Sequence, residues 1–243
     1  MPLRIFALLS FATTMSILSP IVSPAEEDQD ELIKGDQFPA GFAVPTSTLS
    51  PDKRYGVLAP DWDHYEDGQP QNKLVEVKTG RVLAVIKAET GLVRMNHGGI
   101  LPSRWSSDGL FVLWHVDGKW SPRALVLLKV DKGEVKWQRD LLKLAQREIL
   151  ARTRKAVLRK YAAARKRNAG LSDEDYPGGM TIINVVTEGE EDAPLVLPVT
   201  INAELESNPK AIEDSPKSTE VNSEMHAKID AEGKFSVKDF HLE

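Results

Sequence analysis

Between Ser50 and Trp137, apolar residues come in short runs separated by Asp, Gly, Asn and Pro. Tyr55 to Leu58, Leu74-Val75, Val82 to Ile86, Leu110 to Trp114 and Ala124 to Val130 are such runs, and they read as strands joined by turns. From Gln138 the pattern changes. Gly and Pro vanish up to Asn168, good helix formers dominate, and Leu142, Ala145, Ile149, Thr153, Ala156 and Val157 recur at helical spacing. Leu150 and Tyr161 widen that stripe. A helix over 139–168 would be about 45 Å long at about 1.5 Å per residue, and Gly170 would end it. Met180 to Thr187 and Leu195 to Leu205 then read as strands, the second alternating through Val199, Ile201, Ala203 and Leu205. Asn208 to Thr219, with Pro209 and Pro216, reads as a loop. Val221 to Ile229 alternates again, and Ala231-Glu232-Gly233-Lys234 turns the chain back into Phe235 to Leu242. The expected fold is α+β, mainly antiparallel sheet, with one long basic helix. A single domain is expected over 38–243: a sheet region 38–138, the helix 139–168, and C-terminal strands within 178–243.

The sheet region repeats itself. Ser50-Pro51-Asp52 launches Tyr55 to Leu58, and a strand at Lys73 to Val77 then meets Thr79-Gly80, which returns the chain into Arg81 to Ile86. About 55 residues on, Trp105-Ser106-Ser107-Asp108-Gly109 launches Leu110 to Trp114, and Ala124 to Val130 meets Lys132-Gly133 before Glu134 to Trp137. A Ser-x-Asp turn opens each unit, and a tight glycine turn joins its later strands. These residues resemble the blade repeats of bacterial β-propellers of the TolB-like or WD40-like sort. The first unit keeps Ser-Pro-Asp and Thr-Gly without the tryptophan; the second keeps Trp-Ser and Asp-Gly, with Ser107 where the proline would stand. The resemblance describes turns between antiparallel strands, and says almost nothing of chemistry. Because a propeller takes about four to eight blades, two units need something else to cover their open faces, and the helix is the natural lid.

The first 25 residues read differently. Arg4, an apolar stretch from Ile5 to Leu18, and the small residues Ser23-Pro24-Ala25 follow the order of an export signal. Cleavage after Ala25 is expected, with a mature chain in the periplasm or outside the cell. An acidic leader over 26–37 follows. Charge is then sorted: 13 basic and 11 acidic residues over 38–138, 11 basic and two acidic over 139–168, five basic and 17 acidic over 170–243. The opposite blocks can attract each other or recruit partners. The net charge of −5 argues against a nucleic-acid binder. With no cysteine in the chain, a disulfide scaffold, a thiolate metal site and a cysteine nucleophile are all excluded.

Candidate chemistry is sparse. The acidic stretch Asp61-Trp62-Asp63-His64-Tyr65-Glu66-Asp67-Gly68 clusters oxygens that a hard cation would use, so Asp61, Asp63 and Asp67 are weak metal candidates. The stretch lacks the helix–loop–helix calcium spacing, and the expectation is no metal. Asn96-His97-Gly98-Gly99 is a polar turn whose amides would suit an anion, with His97 its titrating group. A purely structural glycine turn explains it equally. Trp62, Trp114 and Trp120 would stack on a sugar or a protein partner if exposed, or fill the core if buried. No nucleophile elbow, Ser-x-x-Lys or phosphate loop occurs. No cofactor is expected. The reading that fits is an exported, non-catalytic binding protein meeting a protein or polysaccharide of the cell envelope, with a homo-oligomer as an open possibility. Its rival is a secreted enzyme acting on envelope polysaccharide through an acidic pair and an aromatic wall. A polyanion-binding role for the basic helix is a third reading.

Overall fold

A computed structural model describes residues 30–66, 69–88, 91–93, 98–118, 122–156, 180–190, 193–208 and 221–242. These build an α+β fold dominated by three antiparallel sheets. The first holds β1 (Leu32–Ile33), β2 (Phe42–Pro45), β3 (Tyr55–Pro60), β4 (Lys73–Glu76) and β5 (Arg81–Val85) in chain order. The second runs β10 (Glu134–Asp140), β9 (Ala124–Asp131), β8 (Phe111–Asp117), β6 (Gly99–Ile100), with β7 (Arg104–Trp105) also paired to β8. The helix α1 (Leu141–Ala156) follows without a break. The third sheet is a four-stranded meander of β11 (Met180–Thr187), β12 (Val199–Asn208), β13 (Asn222–Ile229) and β14 (Phe235–Leu242). All three are compatible with blade-like meanders, and the described strands form no closed propeller.

The repeat is physical as well as textual. Ser50 Oγ donates to Asp52 Oδ1 at 2.6 Å, and the N–H of Tyr55 donates to Ser50 Oγ at 3.0 Å. In the second unit Ser106 Oγ donates to Asp108 Oδ1 at 2.6 Å, and the N–H of Phe111 donates to Ser106 Oγ at 2.9 Å. Lys53 and Gly109 occupy the same place in the two turns, both left-handed, with φ of 57° and 68°. That conformation suits glycine and strains lysine. The tryptophan present only in the second unit clasps the first: Trp105 Nε1 donates to the Thr48 carbonyl at 3.0 Å, and its ring stacks on Tyr55.

The second sheet is the central layer and is buried on both faces. Val112, Trp114, Val116, Val126 and Leu128 pack against Tyr55, Val57 and Leu74 of the first sheet. The alternate residues Phe111, Leu113, Leu125 and Leu127 pack against α1 and the third sheet. A strand buried on both sides reads as an unbroken apolar run, which is what Leu110 to Trp114 showed. The far face of the first sheet is covered by Phe38, which packs with Val44, Leu58 and Val75.

The helix is the expected lid, and more. Leu142, Ala145 and Ile149 are buried, and α1 touches both the second and the third sheets. Its exposed Lys143, Arg147 and Lys155 are the solvent side of a packed helix. Residues 157–168, where the sequence pattern continues, lie outside the described residues. The strand expected at Leu195 begins instead at Val199, because Pro198 has no N–H to give a ladder. Leu195 is buried, and its N–H donates to the Trp105 carbonyl at 2.9 Å. No helix among the described residues is long and apolar enough to cross a membrane.

Candidate functional site

The stretch after β3 leaves the first sheet through a 3-10 turn, Trp62–His64. Its entry is fixed by the N–H of Asp61 donating to the Gly41 carbonyl at 2.9 Å. Asp61 Oδ1 lies 2.7 Å from His64 Nδ1, and the His64 ring meets Phe42 edge-on at 6.4 Å. Gln71 closes the loop, donating to the His64 carbonyl at 3.1 Å and accepting from the N–H of Glu66 at 2.8 Å. The hydrogen bond from His64, its charge when protonated and nearby backbone donors hold the Asp61 carboxyl below its ordinary value, against the opposing effect of desolvation. Trp62 rides on this turn 64% exposed, the most exposed aromatic ring among the described residues. The exposed acids Asp61, Asp63 and Glu66 flank it along the chain. An exposed apolar ring on an acidic stretch of chain can receive a sugar face or an apolar residue flanked by basic groups.

The remaining sequence candidates separate. Trp114 is fully buried in the core shared by the first two sheets, so its reading as a ligand-binding residue is corrected to packing. The reason is its place on a two-sided strand, whose residues Phe111 to Trp114 are all buried. Asn96, His97, Trp120 and Asp67 lie outside the described residues. Gly98, next to His97, has φ of 141°, and a side chain there would press on the Asp117 carbonyl, which accounts for the glycine by strand pairing. Asp61 is committed to His64, and among the described residues no group of three or more His, Asp or Glu could hold a metal ion.

Two clefts went unread in the sequence. One, of about 220 Å³, lies between the two Ser-x-Asp turns and brings together Asp52, Asp108, Arg54, Tyr55 and Lys132. It is a cleft among the described residues that brings two carboxylates to one wall. Burial is the largest single influence on Asp52 and raises its pKa, but the Ser50 hydroxyl and the N–H and charge of Arg54 together outweigh it and hold the carboxyl below its ordinary value. The Ser106 hydroxyl and the N–H of Leu110 hold Asp108 low as well. A glycosidic general acid needs the opposite shift, so neither carboxyl is poised to donate a proton at neutral pH.

The other cleft, of about 200 Å³, opens on the seam between the second and third sheets. Its apolar floor is Leu113, Leu125 and Val185, and Arg104 stands in its wall. Arg104 follows no motif beyond preceding Trp105, so only the pairing of β7 with β8 could have placed it. In comparison with known proteins, no family model and no curated protein matches this chain.

Proposed function

We propose that the chain is an exported, non-catalytic binding protein of the bacterial envelope, built on propeller-blade-like repeats of the TolB-like or WD40-like sort. The exposed Trp62, held on a turn locked by Asp61, His64 and Phe42, carries this reading. A solvent-exposed tryptophan on a hydrogen-bonded turn offers a large contact area at small entropic cost, as binding hot spots do. The order of charge, apolar stretch and small residues over 1–25 supports export, and the acids that flank Trp62 along the chain favour a partner with basic or hydroxyl-rich chemistry. The acid-pair enzyme is less well supported, because the cleft that brings Asp52 and Asp108 together holds both carboxyls below their ordinary pKa.

The test uses the mature chain, starting at Glu26, recovered from the periplasm or medium and immobilised against separated protein and polysaccharide fractions of the envelope. Capture of a component by the native chain, reduced at least about tenfold by Trp62→Ala at an unchanged melting temperature, is the expected result. Equal capture by both chains, or a recovered chain that still starts at Met1, would contradict the proposal.

A further inference from the structure

The cleft at the seam of the second and third sheets contains a fixed, incompletely used guanidinium. Arg104 leaves β7 and reaches across to the segment between β11 and β12. Its Nη1 donates to the Glu188 carbonyl at 3.0 Å and its Nε to the Ala193 carbonyl at 3.3 Å. Gly189 makes room for it: φ is 106°, and a side chain at this position would collide with Arg104 Nη2. Two carbonyls and a glycine notch therefore set the direction of the side chain before any ligand arrives. Among the described residues, Nη2 donates no hydrogen bond and Arg104 has no carboxylate partner. Beside it the floor is apolar, with Leu113, Leu125 and Val185 each almost fully buried.

A charge fixed in this way beside an apolar floor selects one kind of ligand. Arginine prefers planar oxyanions, and a hydrogen bond to a charged acceptor is about twice as strong as a neutral one. The cleft, about 200 Å³, is smaller than the roughly 300–1,000 Å³ of drug-sized sites, so the ligand must be small. We infer that the cleft binds a small monocarboxylate with a compact branched or aromatic body. The carboxylate lies on Arg104 Nη2 and the body on Leu113, Leu125 and Val185. The site is separate from the Trp62 surface and does not depend on it.

Calorimetric titration of the full mature chain with isovalerate and phenylacetate, set against isovaleramide, phenylacetamide and acetate, tests this. The two acids should bind at least about tenfold more tightly than their amides, which lose the charged contact. Acetate, lacking the body, should be weaker by a similar factor. Arg104→Gln should erase the difference between acid and amide, and Thr187→Phe, at the wall of the cleft, should block both. Trp62→Ala should bind the acids as the native chain does. If neither acid binds, if acid and amide bind alike, or if folded Arg104→Gln keeps the preference, the inference is wrong. Should Arg104→Gln fail to fold, undiminished binding by Thr187→Phe would overturn it.

Discussion

Asp52 and Asp108 each use one carboxylate oxygen to take two donors, the serine hydroxyl two residues before and the backbone N–H two residues after. Each thereby fixes the entry to a buried strand, and ionisation strengthens both bonds. Asp108→Ala should cost about 1–2 kcal/mol, as loss of a capping side chain does. Asp108→Asn, which keeps an acceptor and loses only the charge, should cost less. Both carboxyls titrate lower in the folded chain than when unfolded. Their contribution is therefore complete at neutral pH and is lost as pH falls below about 4 and on through the folded pKa. Urea midpoints measured down through this range should fall less steeply for Asp108→Asn than for the native chain. Parallel curves would show that the charge contributes nothing. These turns were legible from residue types alone, since Ser-x-Asp before an apolar run has a local mechanism. The environment of Trp114 was not. Whether a tryptophan faces solvent or core depends on which sheet covers its face, and that is decided by residues far along the chain.

At the level of elements, the amphipathic patterns were the reliable guide, and they worked best where one face meets water. β13 alternates buried and half-buried residues from Asn222 to Ile229, and its sequence alternates in step. The helix buries Leu142, Ala145, Ile149 and Thr153 at the expected spacing, Thr153 through a hydrogen bond of 2.7 Å between its hydroxyl and that of Ser223, whereas Ala156, expected in the same stripe, is exposed. What the pattern could not reveal was that α1 sits between two sheets rather than on one. Ile149 is fully buried in the cluster that joins α1 to both. Ile149→Asp should accordingly destabilise the chain by several kcal/mol, since it would place a carboxylate in a fully buried apolar cluster. Arg147→Glu, on the exposed side two residues earlier, should change stability by well under about 1 kcal/mol. Thermal melts of the two variants decide it. A mild effect of Ile149→Asp on stability, with loss of a captured partner instead, would make the helix an interface.

For the whole molecule, the second sheet belongs to two cores at once. One links it to the first sheet, the other to the helix and the third sheet. The stack ends at both sides: Phe38 covers one face, and the outer face of the third sheet carries Asn202, Glu204, Glu206, Glu224 and His226. Glu204 stands directly across from Glu224, so another sheet or a second copy stacked there would have to bury two like charges. That third meander carries no Ser-x-Asp turn, which is why the sequence showed two units where the structure shows three sheets. Sharing the central sheet has a thermodynamic consequence, because neither core can be lost without baring a face of β8 and β9. The described chain should unfold as one cooperative unit rather than as a sheet pair and a separate C-terminal piece. Leu127→Ala and Leu128→Ala are neighbours on β9 that open opposite cores, and each is fully buried. Each should cost about 2–5 kcal/mol. Both should lower one common melting temperature, with tryptophan fluorescence and far-ultraviolet dichroism tracing the same transition in each variant. If Leu127→Ala separates the transition into two while Leu128→Ala does not, the third sheet folds independently of the blade-like pair, and the single-domain architecture fails.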